Sequence, residues 1–228
     1  MKTRRISVPL PSGPIEETSA LWDRPEEWSR GSAFLLANGA GFSMEAPFME
    51  AVAHGLVARG FGVLRFNYPY KEREARGESR RPPDRQPVLE DTHAALVSTL
   101  RELAPDRRLI LAGKSLGGRI ASLVAAKDVP CDGLVFLGFP LHPPGRPGLA
   151  RTEHFAALVQ PALFLQGTRD SLCRLDLLEE ALQRYGGTAT VEVIEDADHG
   201  FHVPKRTGKT DALVLEALLD RTARWARE

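Results

Sequence analysis

The chain is predicted to fold as an α/β protein built on a mostly parallel sheet with helices on both faces. Three observations carry this expectation. Short continuous apolar runs (Ala33-Phe34-Leu35-Leu36-Ala37, Leu109-Ile110-Leu111-Ala112, Leu134-Val135-Phe136-Leu137, Ala162-Leu163-Phe164-Leu165) have the composition of strands buried on both sides. Segments with helical spacing of apolar residues separate them. Glycine-rich or polar turns follow the strand ends, where such sheets bind ligands.

Taken in order, Ile6–Leu10 and Ser19–Trp22 read as short strands flanking the turn Pro11-Ser12-Gly13-Pro14. Ala33–Ala37 is the first buried strand, ending in Asn38-Gly39-Ala40-Gly41. Phe48, Val52, Leu56 and Val57 mark a helix that stops at Arg59-Gly60. Val63–Phe66 is a strand leading into Asn67-Tyr68-Pro69-Tyr70. Residues 71–85 then form a charged, proline-containing loop, and Val88–Leu103 resumes helical spacing. The strand Leu109–Ala112, a turn and a helix over Arg119–Lys127 come next. Leu134–Leu137 and Ala162–Leu165 are further strands, Leu172–Tyr185 is helical up to Gly186-Gly187, and Thr190–Ile194 is a β-branched strand. An amphipathic helix from about Thr210 to Ala226 closes the chain. No internal repeat or linker interrupts the 228 residues, so one domain over 1–228 is expected.

Composition excludes several function classes. Lys+Arg and Asp+Glu balance at 30 each, which offers no support for a general binder of nucleic acid or anionic membrane. No apolar run approaches the roughly 20 residues a membrane span needs. The basic start Met1-Lys2-Thr3-Arg4-Arg5 is followed by a proline-broken stretch too short for a signal h-region. Cys131 and Cys173 have no paired spacing, so reduced thiols and a cytoplasmic setting are expected. His, Asp and Glu show no metal-ligand spacing such as H-E-x-x-H. Gly113-Lys114-Ser115 resembles the end of a phosphate-binding loop, but Arg108 occupies the place of its first glycine. Neither cofactor nor metal is expected.

The chemistry points to Ser115. Gly113-Lys114-Ser115-Leu116-Gly117 puts one serine between two glycines in a strand–turn–helix context, as a G-x-S-x-G nucleophile elbow requires. A serine hydroxyl is a poor nucleophile until a base takes its proton, and the base needs a carboxylate to orient it. In chain order serine, acid, histidine, the turn after Ala162–Leu165 carries Asp170 and the turn after Thr190–Ile194 carries His199. Each has an ordinary alternative: Asp170 as a helix cap, His199 as a loop histidine. Glu195, Asp196 and Asp198 are rival acids, but sequence neighbours of a histidine rarely point at its ring, so Asp170 is chosen. Acyl transfer also needs donors for the developing oxyanion. The backbone N–H of Leu116 is one candidate and that of Ala40 the other, with Gly41 next, on a loop whose glycines permit close approach.

Together Asn38-Gly39-Ala40-Gly41, Gly113-Lys114-Ser115-Leu116-Gly117-Gly118-Arg119, Gln166-Gly167-Thr168-Arg169-Asp170 and Asp198-His199-Gly200-Phe201 resemble the α/β-hydrolase superfamily, in particular its small bacterial dienelactone-hydrolase-like branch. The resemblance spans essentially the whole chain. It implies an eight-stranded, mostly parallel sheet, a serine triad and no cofactor. Three positions depart from it: Ser115 stands where dienelactone hydrolases proper have cysteine, Lys114 replaces the usual His, Asp or Tyr, and Asn38 replaces a common histidine.

Two loops are expected on the active-site side. Residues 71–85 hold six basic and four acidic side chains. Arg80 and Arg81 are candidate contacts to an anionic substrate. A solvated loop with internal ion pairs is the reading that this mixed charge favours. Phe139 to Gly148 is rich in proline and leaves room only for a small, open lid, bringing His142, and Arg151 or His154, toward the site. The expected function is hydrolysis of a small ester, thioester or lactone through an acyl-enzyme on Ser115. An acyltransferase or small peptidase with the same three groups, or a catalytically silent interaction module, are the alternatives. The substrate is then a small molecule, with no nucleic acid and no membrane. Oligomeric state is left open.

Overall fold

The computed structural model describes residues 1–29 and 31–228. Eight strands form one sheet: β1 (Lys2–Pro9), β2 (Glu17–Arg24), β3 (Ala33–Ala37), β4 (Gly62–Phe66), β5 (Leu109–Lys114), β6 (Gly133–Leu137), β7 (Ala162–Gly167) and β8 (Ala189–Ile194), in the order β1-β2-β4-β3-β5-β6-β7-β8. The first two are antiparallel, with Val8 opposite Thr18, and β2 runs antiparallel to β4. Every pairing from β4 through β3 to β8 is parallel. The mostly parallel sheet expected from the sequence is therefore what the chain forms.

Among the described residues six α-helices cover it: α1 (Pro47–Ala58), α2 (Pro69–Ala75), α3 (Gln86–Leu103), α4 (Leu116–Ala125), α5 (Leu175–Leu182) and α6 (Asp211–Trp225). β3 to β7 are buried along their whole length, so alternate side chains feed two separate cores. Phe34 and Leu36 meet α1 and α6 through Met49, Val52, Leu56, Leu218 and Leu219. Leu35 and Ala37, on the other face, meet α3, α4 and α5 through Leu96, Leu100, Ile120, Val124 and Leu178. Helix starts follow local chemistry: Pro47, Pro69 and Pro87 occupy first-turn positions that need no N–H, and the Thr210 hydroxyl accepts from Leu213 N–H at 3.3 Å to cap α6.

The structure departs locally from the sequence reading in four places. β1 and β2 run longer than their apolar stretches, because their ladder also pairs polar positions from Lys2↔Arg24 onward. The first part of the charged segment 71–85 is helical, belonging to α2. Pro69 starts that helix, and the pairs Lys71–Glu74 (2.7 Å) and Arg76–Glu72 (3.2 Å) support it at helical spacing. A 3-10 stretch over Ala150–Ala157, unmarked in the sequence, follows the proline loop. α5 starts three residues later than expected, at Leu175, because the Leu172 N–H is held by the Asp170 carboxylate at 2.8 Å.

Candidate active site

Three loops at the carboxyl ends of parallel strands converge. The turn between β5 and α4 carries Ser115 at φ 50° and ψ −114°, a left-handed conformation that a non-glycine residue adopts only under constraint. The constraint is packing. A Cβ on Gly113 would collide with the backbone of Gly117 and Gly118, and one on Gly117 would lie 2.5 Å from the Ala37 carbonyl oxygen. Strand, turn and helix thus approach at backbone contact, and the serine side chain is held clear of both elements.

The turn after β7 carries Asp170, and the one after β8 carries His199. These turns are tied to each other through the backbone: Thr168 N–H donates to Ile194 O (3.2 Å) and Arg169 N–H to Ala197 O (2.9 Å). Asp170 Oδ2 lies 2.7 Å from His199 Nδ1, and His199 Nε2 lies 2.8 Å from Ser115 Oγ. An ionised carboxylate only accepts, so Nδ1 carries the proton, Nε2 is left as acceptor and the Ser115 hydroxyl donates to it. Exposure grades along the row: the Asp170 side chain is wholly buried and that of His199 is 25% exposed. Such a buried anion needs donors. Besides His199, Oδ2 accepts from Gln166 Nε2 at 2.6 Å and Oδ1 from Leu172 N–H at 2.8 Å.

The rival acids are engaged elsewhere. Asp198 Oδ1 accepts the N–H groups of Gly200 (2.8 Å) and His202 (3.0 Å), shaping the turn that presents His199. Asp196 lies 3.7 Å from Arg206, and Glu195 accepts from the Thr168 hydroxyl at 3.5 Å.

Leu116 is the first residue of α4, where a backbone N–H has no partner within the helix. Ala40 sits in the exposed turn after β3, its carbonyl accepting from the Tyr70 hydroxyl at 3.2 Å. The Asn38 amide fastens that turn by donating to Gly39 O (3.1 Å) and Phe42 O (2.6 Å). The departure at Asn38 thus has a structural use in place of a histidine's. A Cβ on Gly39 would touch Lys114 at 3.5 Å, so the turn lies against the elbow.

The outer candidates are placed differently. His142 is buried. Its Nε2 accepts the Arg174 N–H (3.2 Å) and its Nδ1 donates to Pro143 O (3.0 Å), which leaves neither nitrogen for a substrate. The expectation of a substrate contact there is corrected: the ring ties the proline loop to the loop before α5. Arg151 donates to Pro140 O at 3.2 Å, and His154 bonds Ser122 on α4 at 2.8 Å. Burial, then the charge of Arg119, pushes His154 down to about 4 and keeps it neutral. Arg81 pairs with Glu78 (2.8 Å), which also holds Arg73 (2.7 Å), while Arg80 is exposed. The loop's charges largely pair among themselves.

Gln166 is the functional residue that sequence reasoning missed. Its Oε1 accepts Phe139 N–H (2.9 Å) while its amide donates to Asp170, joining the β6 and β7 loops behind the carboxylate. The available signal was a glutamine inside β7, directly after the apolar run Ala162–Leu165.

No group of three or more His, Cys, Asp or Glu among the described residues is arranged to hold a metal ion, and no helix among them is long and apolar enough to cross a membrane.

Comparison with known proteins agrees with the architecture. Residues 30–227 match a family described as alpha/beta hydrolase domain. Among solved structures, a dienelactone hydrolase from Anabaena variabilis superposes with a TM-score of 0.79 at 19% identity, covering 98% of this chain and 96% of that one. An α/β serine hydrolase without lid from Xanthomonas campestris gives 0.71 at 22% identity, with 98% and 95% covered. An esterase from an Arctic intertidal metagenomic library gives 0.68 at 19%, with 96% and 93% covered.

Proposed function

Because the chain belongs to the alpha/beta hydrolase domain family, we propose that it is a serine hydrolase acting on a small ester, thioester or lactone. The observation that carries this reading is the unbroken hydrogen-bonded row from Ser115 Oγ through His199 to the buried Asp170. Ser115 Oγ attacks the acyl carbon as its proton passes to His199 Nε2. Asp170 holds the ring in the tautomer that can accept that proton, and stabilises the imidazolium that results. The N–H groups of Leu116 and Ala40 are the donors for the tetrahedral oxyanion, a contribution worth about 10²–10³ in kcat for each donor. His199 then protonates the departing alcohol, thiol or tethered hydroxyl. Water enters and gives its proton to the same nitrogen as its oxygen bonds the acyl carbon. The bond to Ser115 Oγ then breaks, the proton on His199 returns to that oxygen, and the acid is released.

The partly buried serine and the absence of a helical cap over it among the described residues suit small substrates. The names of the structural neighbours, dienelactone hydrolase and esterase, are in keeping with an ester-type bond. A panel of esters, thioesters and lactones of varied acyl length and charge tests the proposal. At least one class should be turned over, with free acid as the product even when an alcohol acceptor is added. Transfer of the acyl group to the acceptor instead of water would make the protein an acyltransferase, and no turnover of any class would count against the proposal.

A further inference from the structure

Lys114 is the residue of the elbow that neither the strand nor the proposed chemistry requires. It is 2% exposed, yet its chain ends among polar groups of the site. The Nζ donates to the backbone carbonyl of His199 at 2.5 Å and lies 5.3 Å from the centre of the Phe201 ring. A Cβ on Gly138, which sits at the end of β6 with φ 69°, would meet Lys114 Nζ at 3.1 Å, Asp170 Oδ2 at 3.5 Å and His199 Nδ1 at 3.5 Å. The ammonium, the carboxylate and the imidazole therefore line one small space that only a glycine leaves open. Two charges face Lys114 from neighbouring loops, Asp170 after β7 and Asp198 after β8.

We propose that Lys114 is a positioning residue: its ammonium clamps the His199 loop to the strand carrying Ser115 and so fixes the imidazole between nucleophile and acid. The inference rests on the hydrolase reading for its kinetic consequences, though not for its geometry. A lysine is expensive to bury, and an apolar residue would suit the core behind an elbow better. What the lysine adds is one charge-assisted hydrogen bond joining the first and last of the three loops. The tie through Gln166 joins the β6 loop to the Asp170 turn and does not reach the elbow. Fixing the base matters because a displacement of about 1 Å in a reacting group costs on the order of 10² in rate.

Burial draws the Lys114 ammonium down to about 8, against the pull of Asp170 and Asp198. Below that pH the clamp is charged. As pH rises through it the charge is lost and the bond to His199 O becomes an ordinary one, so kcat should fall. Lys114→Met should lower kcat about 10²-fold with KM within about threefold of wild type, and Lys114→Gln, which keeps a donor, should lie between. Both should lack the alkaline fall near pH 8. The ring signals of His199, followed by NMR in the wild-type protein, should show a step near pH 8 that disappears in Lys114→Met. A folded Lys114→Met with wild-type kcat, or an alkaline fall that survives in it, overturns the clamp. Should Lys114→Met fail to fold, Lys114→Gln decides in its place: a lowered kcat with KM little changed supports the clamp, and a folded Lys114→Gln with wild-type kcat overturns it. A step seen where no ester is turned over would leave the clamp standing and the hydrolase reading fallen.

Discussion

Ser115→Ala is expected to lower kcat on a turned-over ester by about 10⁶ while KM changes little. The effect is large because removing the hydroxyl removes the only covalent route, not one contribution among several. The structure gives the substitution a clean reading. Among the described residues the Ser115 side chain bonds only His199 Nε2, and its Oγ does not cap α4. Alanine keeps a Cβ at φ 50°, so the strain of the turn is unchanged and the fold should be retained. Steady-state kinetics on the best substrate of the panel, with melting temperature alongside, checks this. A fall of only severalfold would mean that another group reacts.

Asp170→Asn is expected to lower kcat by about 10⁴, through geometry that can be traced atom by atom. Both carboxylate oxygens face donors: Oδ2 faces His199 Nδ1 and Gln166 Nε2, and Oδ1 faces Leu172 N–H. An asparagine must turn its own NH₂ toward one of these sets. Turned to Leu172, it opposes a backbone donor, and the imidazolium loses its counter-charge. Turned to His199, it donates to Nδ1, moves the ring proton to Nε2 and leaves nothing to accept the proton of Ser115. Neither arrangement keeps both the tautomer and the charge. Measured kcat within tenfold of wild type would show that the carboxylate does not act on the imidazole.

Much of this was legible in the sequence because buried parallel strands announce themselves as short apolar runs. Phe34, Ile110, Val135 and Leu163 all lie in such runs, the turns bearing Asn38, Ser115 and Asp170 follow three of them, and the turn bearing His199 follows the more exposed β-branched strand β8. The order serine, acid, histidine could be checked against strand order, and the structure brings those three side chains into one row. What stayed hidden was carried by tertiary contacts with no local period. The exposed β1 ladder shows no apolar alternation to read, since β1 buries Val8 alone. The helix over Pro69–Ala75 is written in ion pairs between charged residues, which by composition look like a loop. His142 could not be placed from its position in a proline-rich segment, because its partners come from Arg174 and Pro143 in the folded chain. Gln166 and Lys114 lie at the ends of β7 and β5, and in the sequence they stand only as members of the acid loop and the elbow. Their use depends on where Phe139, Asp170 and His199 fall in space.

The most direct test is where an active-site-directed fluorophosphonate attaches. A serine whose proton is drawn toward a carboxylate-held imidazole attacks phosphorus, while an ordinary surface serine does not. Mass spectrometry of the digested wild-type protein should find one adduct, on the peptide carrying Ser115, and none in Ser115→Ala. An adduct on a different residue, or a folded wild-type protein left unlabelled, would contradict the assignment of Ser115 as an activated nucleophile.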